Sequence, residues 1–293
     1  MSIPAINSYA LPTVEELPTN RVKWEVDASR AVLLIHDMQD YFLRFYGENN
    51  PLVKNLVANI LAIRHWAKSA GIPVVYTAQP SQQTAQERAL LNDMWGPGLT
   101  AADPKLKAVV SELAPDADDT ILVKWRYSAF QKSNFQELMQ SWQRDQLIIV
   151  GVYAHIGCMT TALDAFMRDI KPFMVADAVA DFTETEHRMA LNFVAGRCGA
   201  VVTTDQVLNK KPNEISREWL TQELLQCIDE DAHDLSPDDN LIDYGLDSVR
   251  VMGLIAKWEK LGIKIQFEEL ARAPSINGWW ALIEQKLQQK KAA

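Results

Sequence analysis

The chain has 293 residues, 29 basic and 38 acidic, with a formal net charge of −9 and 48% hydrophobic residues. That length accommodates one large domain with a substantial core and a small second one. The acidic balance offers no basic footprint for nucleic acid or an anionic membrane surface, and no apolar run reaches the roughly 18 residues of a membrane span. The opening stretch MSIPAINSYALPTVEELPTN lacks the basic-then-apolar form of a secretory signal. Three cysteines, Cys158, Cys198 and Cys227, with no C-x-x-C spacing, argue against a disulfide framework and a zinc site. A cytoplasmic protein is expected, acting on small molecules and on proteins with basic docking faces.

From residue 31 onward, short apolar runs alternate with stretches of helical periodicity. The runs AVLLI (31–35), PVVYT (73–77), TILV (120–123), QLIIV (146–150), KPFMV (171–175) and AVVTT (200–204) read as strands. Between them lie segments such as VKNLVANILAIRHWAKSAG (53–71), whose apolar residues recur every three or four positions and whose Gly71 and Pro73 mark a stop. Continuous apolar strands alternating with helices imply a parallel sheet covered on both faces, a doubly wound, three-layer α/β unit.

Sheets of this kind bind ligands beyond the carboxyl ends of their strands, near the point where strand order reverses. His36 and Asp37 follow the first run, Gln79 the second, Lys124 the third, and the turn 151–158 the fourth. Singly, each has an ordinary reading: an aspartate there caps a turn, and a lysine is a solvated charge. Their convergence on one rim makes them candidate site residues.

Around QVLNKKPN (206–213) the strand pattern stops, so the expected organisation is an α/β domain over 1–207, a linker over 208–213 and a second domain over 214–293. This last part holds 15 acidic and 9 basic residues, with eight acidic residues and no basic one from Asp229 to Asp247. Helical patterns at 215–229, 249–261 and 276–290, with a turn at 267–271, read as a small all-α, four-helix bundle. Within it, DDNLIDYGLDSVRVMGLIAKWEKLG (238–262) places Asp247 and Ser248 at the head of an amphipathic helix, behind a turning Gly245. A helix cap accounts for two of those residues, but not for the acidic approach and the Gly-Leu-Asp-Ser order together. The stretch resembles the attachment site of acyl, peptidyl and aryl carrier proteins, which implies that a phosphopantetheinyl transferase loads a phosphopantetheine arm onto Ser248. A helix N-terminus suits that role, since its free N–H groups and dipole favour a phosphodiester. Met252, Phe267 and Ala271 are candidates both for contacts to downstream enzymes and for the small core.

The α/β part resembles the isochorismatase-like hydrolases, a family that includes nicotinamidases and other cysteine amidohydrolases. The resemblance covers about residues 1–205 and rests on LLIHDMQDYF with Asp37, VKWRYSAF with Lys124, GVYAHIGCMTTALDAF and VADAVADF. In the amidase branch an aspartate, a lysine and a cysteine work together, and the nucleophile's place falls here on Gly157. Cys158 is one residue late; on a helix-opening turn that is a rotation of about 100°, so it reads as a small buried hydrophobe. The departure matches the branch that cleaves isochorismate. The whole chain resembles the bifunctional isochorismatase and aryl carrier proteins of catechol siderophore synthesis, of the enterobactin and vibriobactin type.

That resemblance implies hydrolysis of the vinyl ether of isochorismate to 2,3-dihydro-2,3-dihydroxybenzoate and pyruvate. Asp37 is expected as a general acid, its pKa raised by burial against Phe42 and Trp95 and lowered by Lys124. Arg88 and Gln79 are expected to hold the substrate's carboxylates and hydroxyls, and Tyr153, His155 and the N–H groups of the 153–158 turn the pyruvyl end. No metal is expected, because the histidines, His36, His65, His155, His187 and His233, lack a paired ligand spacing. The implied partners are isochorismate, a phosphopantetheinyl transferase, an adenylating ligase for dihydroxybenzoate, condensation enzymes and, as a homo-oligomer, a further copy of the chain. Two rival readings are a cysteine amidohydrolase acting through Cys158 and a non-catalytic scaffold fused to a carrier.

Overall fold

The computed structural model describes residues 3–208, 217–225, 227–228, 235–260 and 263–292. The chain divides into two compact units, Met1–Asn209 and Lys210–Ala293. Most of the linker expected at 208–213, the ends of the helix expected at 215–229, and His233 lie outside the described residues.

Six strands form the sheet of the first unit: β1 (Ala31–His36), β2 (Val74–Ala78), β3 (Thr120–Val123), β4 (Gln146–Val152), β5 (Lys171–Ala180) and β6 (Ala200–Val202). All pair in parallel, in the order β3-β2-β1-β4-β5-β6. Strand order reverses between β1 and β4, so a crevice opens beyond their carboxyl ends. β5 runs five residues past the expected strand, with a register shift opposite Ile149 and Gly151. β6 stops short of the expected run because Thr203 turns to cap the short helix Thr204–Val207, its side chain accepting the Gln206 N–H.

Every residue of β1 is buried, and its side chains alternate between two cores. Leu33 and Ile35 face one cluster with Leu56, Ile60 and Ile63, whereas Val32 and Leu34 face another with Ala162, Leu191 and Val194. Helix α1 (Pro51–Ser69) supplies the first layer. Asn50 caps it by accepting the Leu52 N–H, Pro51 occupies its first turn, and Leu52, Leu56, Ile60, Ile63 and Ala67 make a stripe of helical spacing. Each large aliphatic side chain so buried contributes about 1.5–3 kcal/mol. The second layer contains α2 (Phe135–Ser141), α3 (Met159–Phe166) and α4 (Glu184–Arg197).

The second unit contains α5 (Arg217–Leu225), α6 (Ser248–Lys260), α7 (Phe267–Ala271) and α8 (Ile276–Ala292). Leu220, Leu224, Leu241, Leu254, Leu270 and Ile283 close around Trp258 and Trp279, whose rings meet edge to face at 5.9 Å. The Trp279 indole N–H donates to the Leu270 carbonyl, which satisfies that buried polar group. Met252 is 55% exposed, Ala271 is exposed, and Phe267 packs partly into the core. Among the described residues no helix is long and apolar enough to cross a membrane.

Candidate active site and carrier serine

The crevice is built from strand ends. Asp37, the first residue after β1, sits at φ 49°, a left-handed conformation that an aspartate tolerates better than most residues. Its Oδ2 accepts a 2.8 Å hydrogen bond from Nζ of Lys124, which follows β3 and is itself buried. Its Oδ1 accepts a 2.6 Å bond from the hydroxyl of Thr77, and its own N–H donates to the same hydroxyl. Thr77 reaches both because it stands opposite His36 in the β1–β2 register.

Gln79 is placed by Gln39, a fully buried side chain that donates to the Gln79 carbonyl and accepts the Gln79 N–H. With its backbone held at both groups, the Gln79 side chain lines the cavity. Arg88 is 4% exposed; its Nε donates to the Gly96 carbonyl, and one terminal nitrogen is buried with no partner among the described residues. Gly98 leaves room for that guanidinium, since a Cβ there would come within 2.5 Å of it. The Trp95 indole donates to the Tyr127 hydroxyl and the ring lies against Phe182.

These residues enclose a cavity of about 520 Å³, within the usual range for small-molecule sites. His36, Asp37, Phe42, Gln79, Arg88, Trp95, Lys124, Tyr153 and Gly157 all line it, as do Arg44, Arg126, Tyr127 and Phe182, which sequence reasoning did not assign to it. Thr77 and Gln39 were missed as well; a hydroxyl and an amide closing β2 and opening the segment after β1 were the available signals.

Three expectations need adjusting. His155 does not line the cavity: its ring turns to the buried Asp181, Nδ1 lying 2.6 Å from Oδ1. The Tyr153 hydroxyl is spent on the Phe42 carbonyl, so only its ring faces a ligand. Of the turn's N–H groups, His155 donates to Asp181, and Ile156 and Cys158 to the Tyr153 carbonyl; these three are not free for a pyruvyl group.

Burial pushes the Asp37 carboxyl up, but His36, the Lys124 ammonium and the hydrogen bonds from Lys124 and Thr77 together pull it below the ordinary carboxylate value. In the free site Asp37 is therefore the carboxylate of an ion pair. Burial also pushes His36 down to about 4, against the opposing pull of the Asp37 charge. Cys158 is fully buried in the core beside Ala154 and Ala162, and burial, with the Asp37 charge, pushes its thiol well up, the setting of a packing residue rather than of a nucleophile. The fold brings ligand atoms of His155, Asp181 and Glu186 within 4.8 Å of one another, a grouping that chain spacing did not disclose.

In the second unit Ser248 is exposed and begins α6. Asp247 caps the helix by accepting the Arg250 N–H at 2.8 Å, and Gly245 turns the chain at φ 87°. Ile242, Val249 and Met252 leave apolar surface exposed nearby, at 60%, 78% and 55%. An accessible hydroxyl at a capped helix start, with apolar surface beside it, fits attachment of a phosphopantetheine arm.

A doubly wound parallel sheet with a carboxylate–lysine pair at its switch point, in one chain with a helical unit that presents a capped serine, defines a two-domain protein that joins an α/β enzyme to a carrier. Residues 31–206 match the profile described as Isochorismatase domain, and residues 218–283 that described as Phosphopantetheine attachment site. The chain is 55% identical over 287 residues to enterobactin synthase component B of Escherichia coli (strain K12), covering 98% of this chain and 100% of that protein. It is 45% identical over 305 residues to the isochorismatase of Bacillus subtilis (strain 168), covering 99% and 97%. Among solved structures, a cysteine hydrolase from Pseudomonas syringae pv. phaseolicola 1448A superposes with a TM-score of 0.58 at 23% identity, over 66% of this chain and 96% of that one, a likeness of fold. The chain belongs to the isochorismatase family and carries a C-terminal phosphopantetheine-bearing domain.

Proposed function

We propose that the α/β unit hydrolyses isochorismate to 2,3-dihydro-2,3-dihydroxybenzoate and pyruvate, and that Ser248 holds the phosphopantetheine arm of an aryl carrier for siderophore assembly. Full-length similarity to an enterobactin synthase component and to an isochorismatase supports the substrate. The observation that carries the mechanism is the buried Lys124–Asp37 pair facing a position, Gly157, that has no side chain.

A vinyl ether is cleaved by protonating carbon, so the site needs an acid rather than a nucleophile. In the free site Asp37 is the carboxylate of the pair. Entry of a dianion that expels water and stacks carboxylates beside Asp37 raises the Asp37 pKa and draws a proton onto it. Asp37 then delivers that proton to the terminal methylene. Water adds to the resulting oxocarbenium carbon and gives up a proton to solvent, and the neutral hemiketal collapses to pyruvate and the ring alcohol. Arg88, with its unpaired guanidinium nitrogen, grips one carboxylate, and Gln79 meets a hydroxyl or carboxylate. Lys124 returns as the partner that stabilises the Asp37 carboxylate after transfer. No residue is assigned to a metal.

In the carrier unit the arm supplies a terminal thiol on which 2,3-dihydroxybenzoate is held as a thioester. The phosphopantetheinyl transferase, the adenylating ligase and the condensation enzymes are its partners in this reading, and a homo-oligomer is formed through the α/β unit. The test is a coupled pyruvate assay with isochorismate: steady release supports the reading, and silence from a folded, full-length protein favours a scaffold instead.

A further inference from the structure

A Cβ placed on Gly157 would stand 2.1 Å from Cε1 of His36, 2.6 Å from Nε2 and 3.1 Å from Nδ1. Real Cβ atoms do not come so close to ring atoms. The backbone is not the reason for glycine here, because Gly157 is absent from the positive-φ residues, so its conformation admits any L residue. The restriction comes from one neighbour, the imidazole.

That ring is held in place. The His36 side chain is 1% exposed, and Nδ1 hydrogen-bonds the Val152 carbonyl at 2.8 Å. The Tyr127 backbone also interacts with the ring, and Cε1 and Nε2 are the ring atoms nearest to Gly157. The His36 backbone is gripped on both sides, paired with Thr77 on β2 and Gly151 on β4. Gly151 closes the grip: at φ 110°, it lets the chains approach so nearly that a Cβ would lie 2.2 Å from the His36 carbonyl oxygen.

Position 157 lines the same cavity as Asp37 and Lys124. A thiol there would face a carboxylate able to take its proton and a lysine able to hold charge, which is the setting of an activated nucleophile. We propose that His36 is the specificity-determining residue of this pocket: its imidazole fills the volume a side chain at position 157 would enter, which shuts out covalent attack and leaves proton transfer from Asp37. The inference rests on the acid reading of the site for its meaning, and on packing alone for its geometry.

The experiment compares Gly157→Cys with His36→Ala/Gly157→Cys in the full-length chain, by thermal melting and by iodoacetamide labelling mapped to residue 157. The single variant melts far below the wild type. The double variant recovers more than half of the further loss that Gly157→Cys causes in the wild-type background, and it is labelled at 157 while Cys158 stays unlabelled. A single variant that melts with the wild type and labels readily, or a double variant that recovers nothing, overturns the proposal. Should His36→Ala not fold alone, Gly157→Ala against His36→Ser/Gly157→Ala reads the same coupling by melting. None of these readouts uses isochorismate, so their failure leaves the pyruvate assay standing, and a silent wild type in that assay leaves the packing result standing.

Discussion

Nζ of Lys124 lies 2.8 Å from Oδ2 of Asp37, with the two side chains only 4% and 8% exposed. Two opposite charges at this depth are stable as a pair, and either is costly alone. Asp37→Asn is therefore expected to act twice. Pyruvate release falls by about 10²- to 10⁴-fold or more because an amide cannot supply the proton, and stability falls by about 3–5 kcal/mol because Lys124 is left buried without its counter-charge. Asp37→Asn/Lys124→Met separates the effects: urea denaturation shows stability returning, while the pyruvate assay stays silent. Turnover in Asp37→Asn within about tenfold of the wild type contradicts the acid assignment.

Thr77 donates to Oδ1 of Asp37 at 2.6 Å and accepts the Asp37 N–H, which fixes both the carboxyl plane and the left-handed backbone at Asp37. Thr77→Val keeps the shape and removes both bonds. A loss of roughly tenfold in kcat is expected, equal to about 1.4 kcal/mol, with KM little changed, while Thr77→Ser retains most activity. An undiminished kcat in Thr77→Val contradicts this role.

Stability should follow two buried histidines. Burial holds His36 and His187 down to about 4, against 6.5 unfolded. Their folded pKa values are depressed, so their stabilising contribution is complete above 6.5 and is lost as pH falls towards 4, where the unfolded chain binds protons the native one refuses. With two groups the slope reaches roughly 2–3 kcal/mol per pH unit. His155 has the opposite sign: burial lowers its pKa, but the hydrogen bond and charge of Asp181 raise it further, so its contribution is present below 6.5 and fades as pH rises. Asp37, depressed, loses its contribution only below 3.8. Urea unfolding from pH 7 to 4.5 checks the sign; a flat or rising curve on acidification overturns it.

Cys158 is fully buried and lies outside the cavity lining. Cys158→Ala should release pyruvate at a near-normal rate and lose about 1 kcal/mol of stability. Complete loss of activity in a folded variant would point back to a cysteine mechanism.

Ser248 and the cavity belong to different units. Ser248→Ala is expected to accept no phosphopantetheine from coenzyme A and a transferase, read by intact mass, while its pyruvate release matches the wild type. Modification of the variant at another residue contradicts the assignment.

Much of this protein is legible from local pattern. Apolar runs announce the strands, most of them because a strand covered on both faces can carry little else, although the edge strand β3 leaves Ile121 and Val123 exposed; Gly-Leu-Asp-Ser before an amphipathic stretch announces the carrier helix. Asp37 and Lys124 stand out as charges closing apolar strands, a place where charge is expensive unless it is paired. The limits of β5 and β6 were less legible, since a register shift and a threonine cap depend on neighbouring strands and on the helix that follows.

What no local pattern carried is direction and company. Thr77 and Gln39 serve Asp37 and Gln79 through parallel register and a side chain folded back onto a strand end, and both relationships span some forty positions of chain. His155 was drawn to Asp181, and Asp37 to its ionised form, because electrostatic energy at depth depends on which charges come within a few ångströms, a property of three-dimensional distance. His36 and Gly157 are ordinary residues apart; close packing alone makes one the condition of the other, since two atoms cannot share a volume.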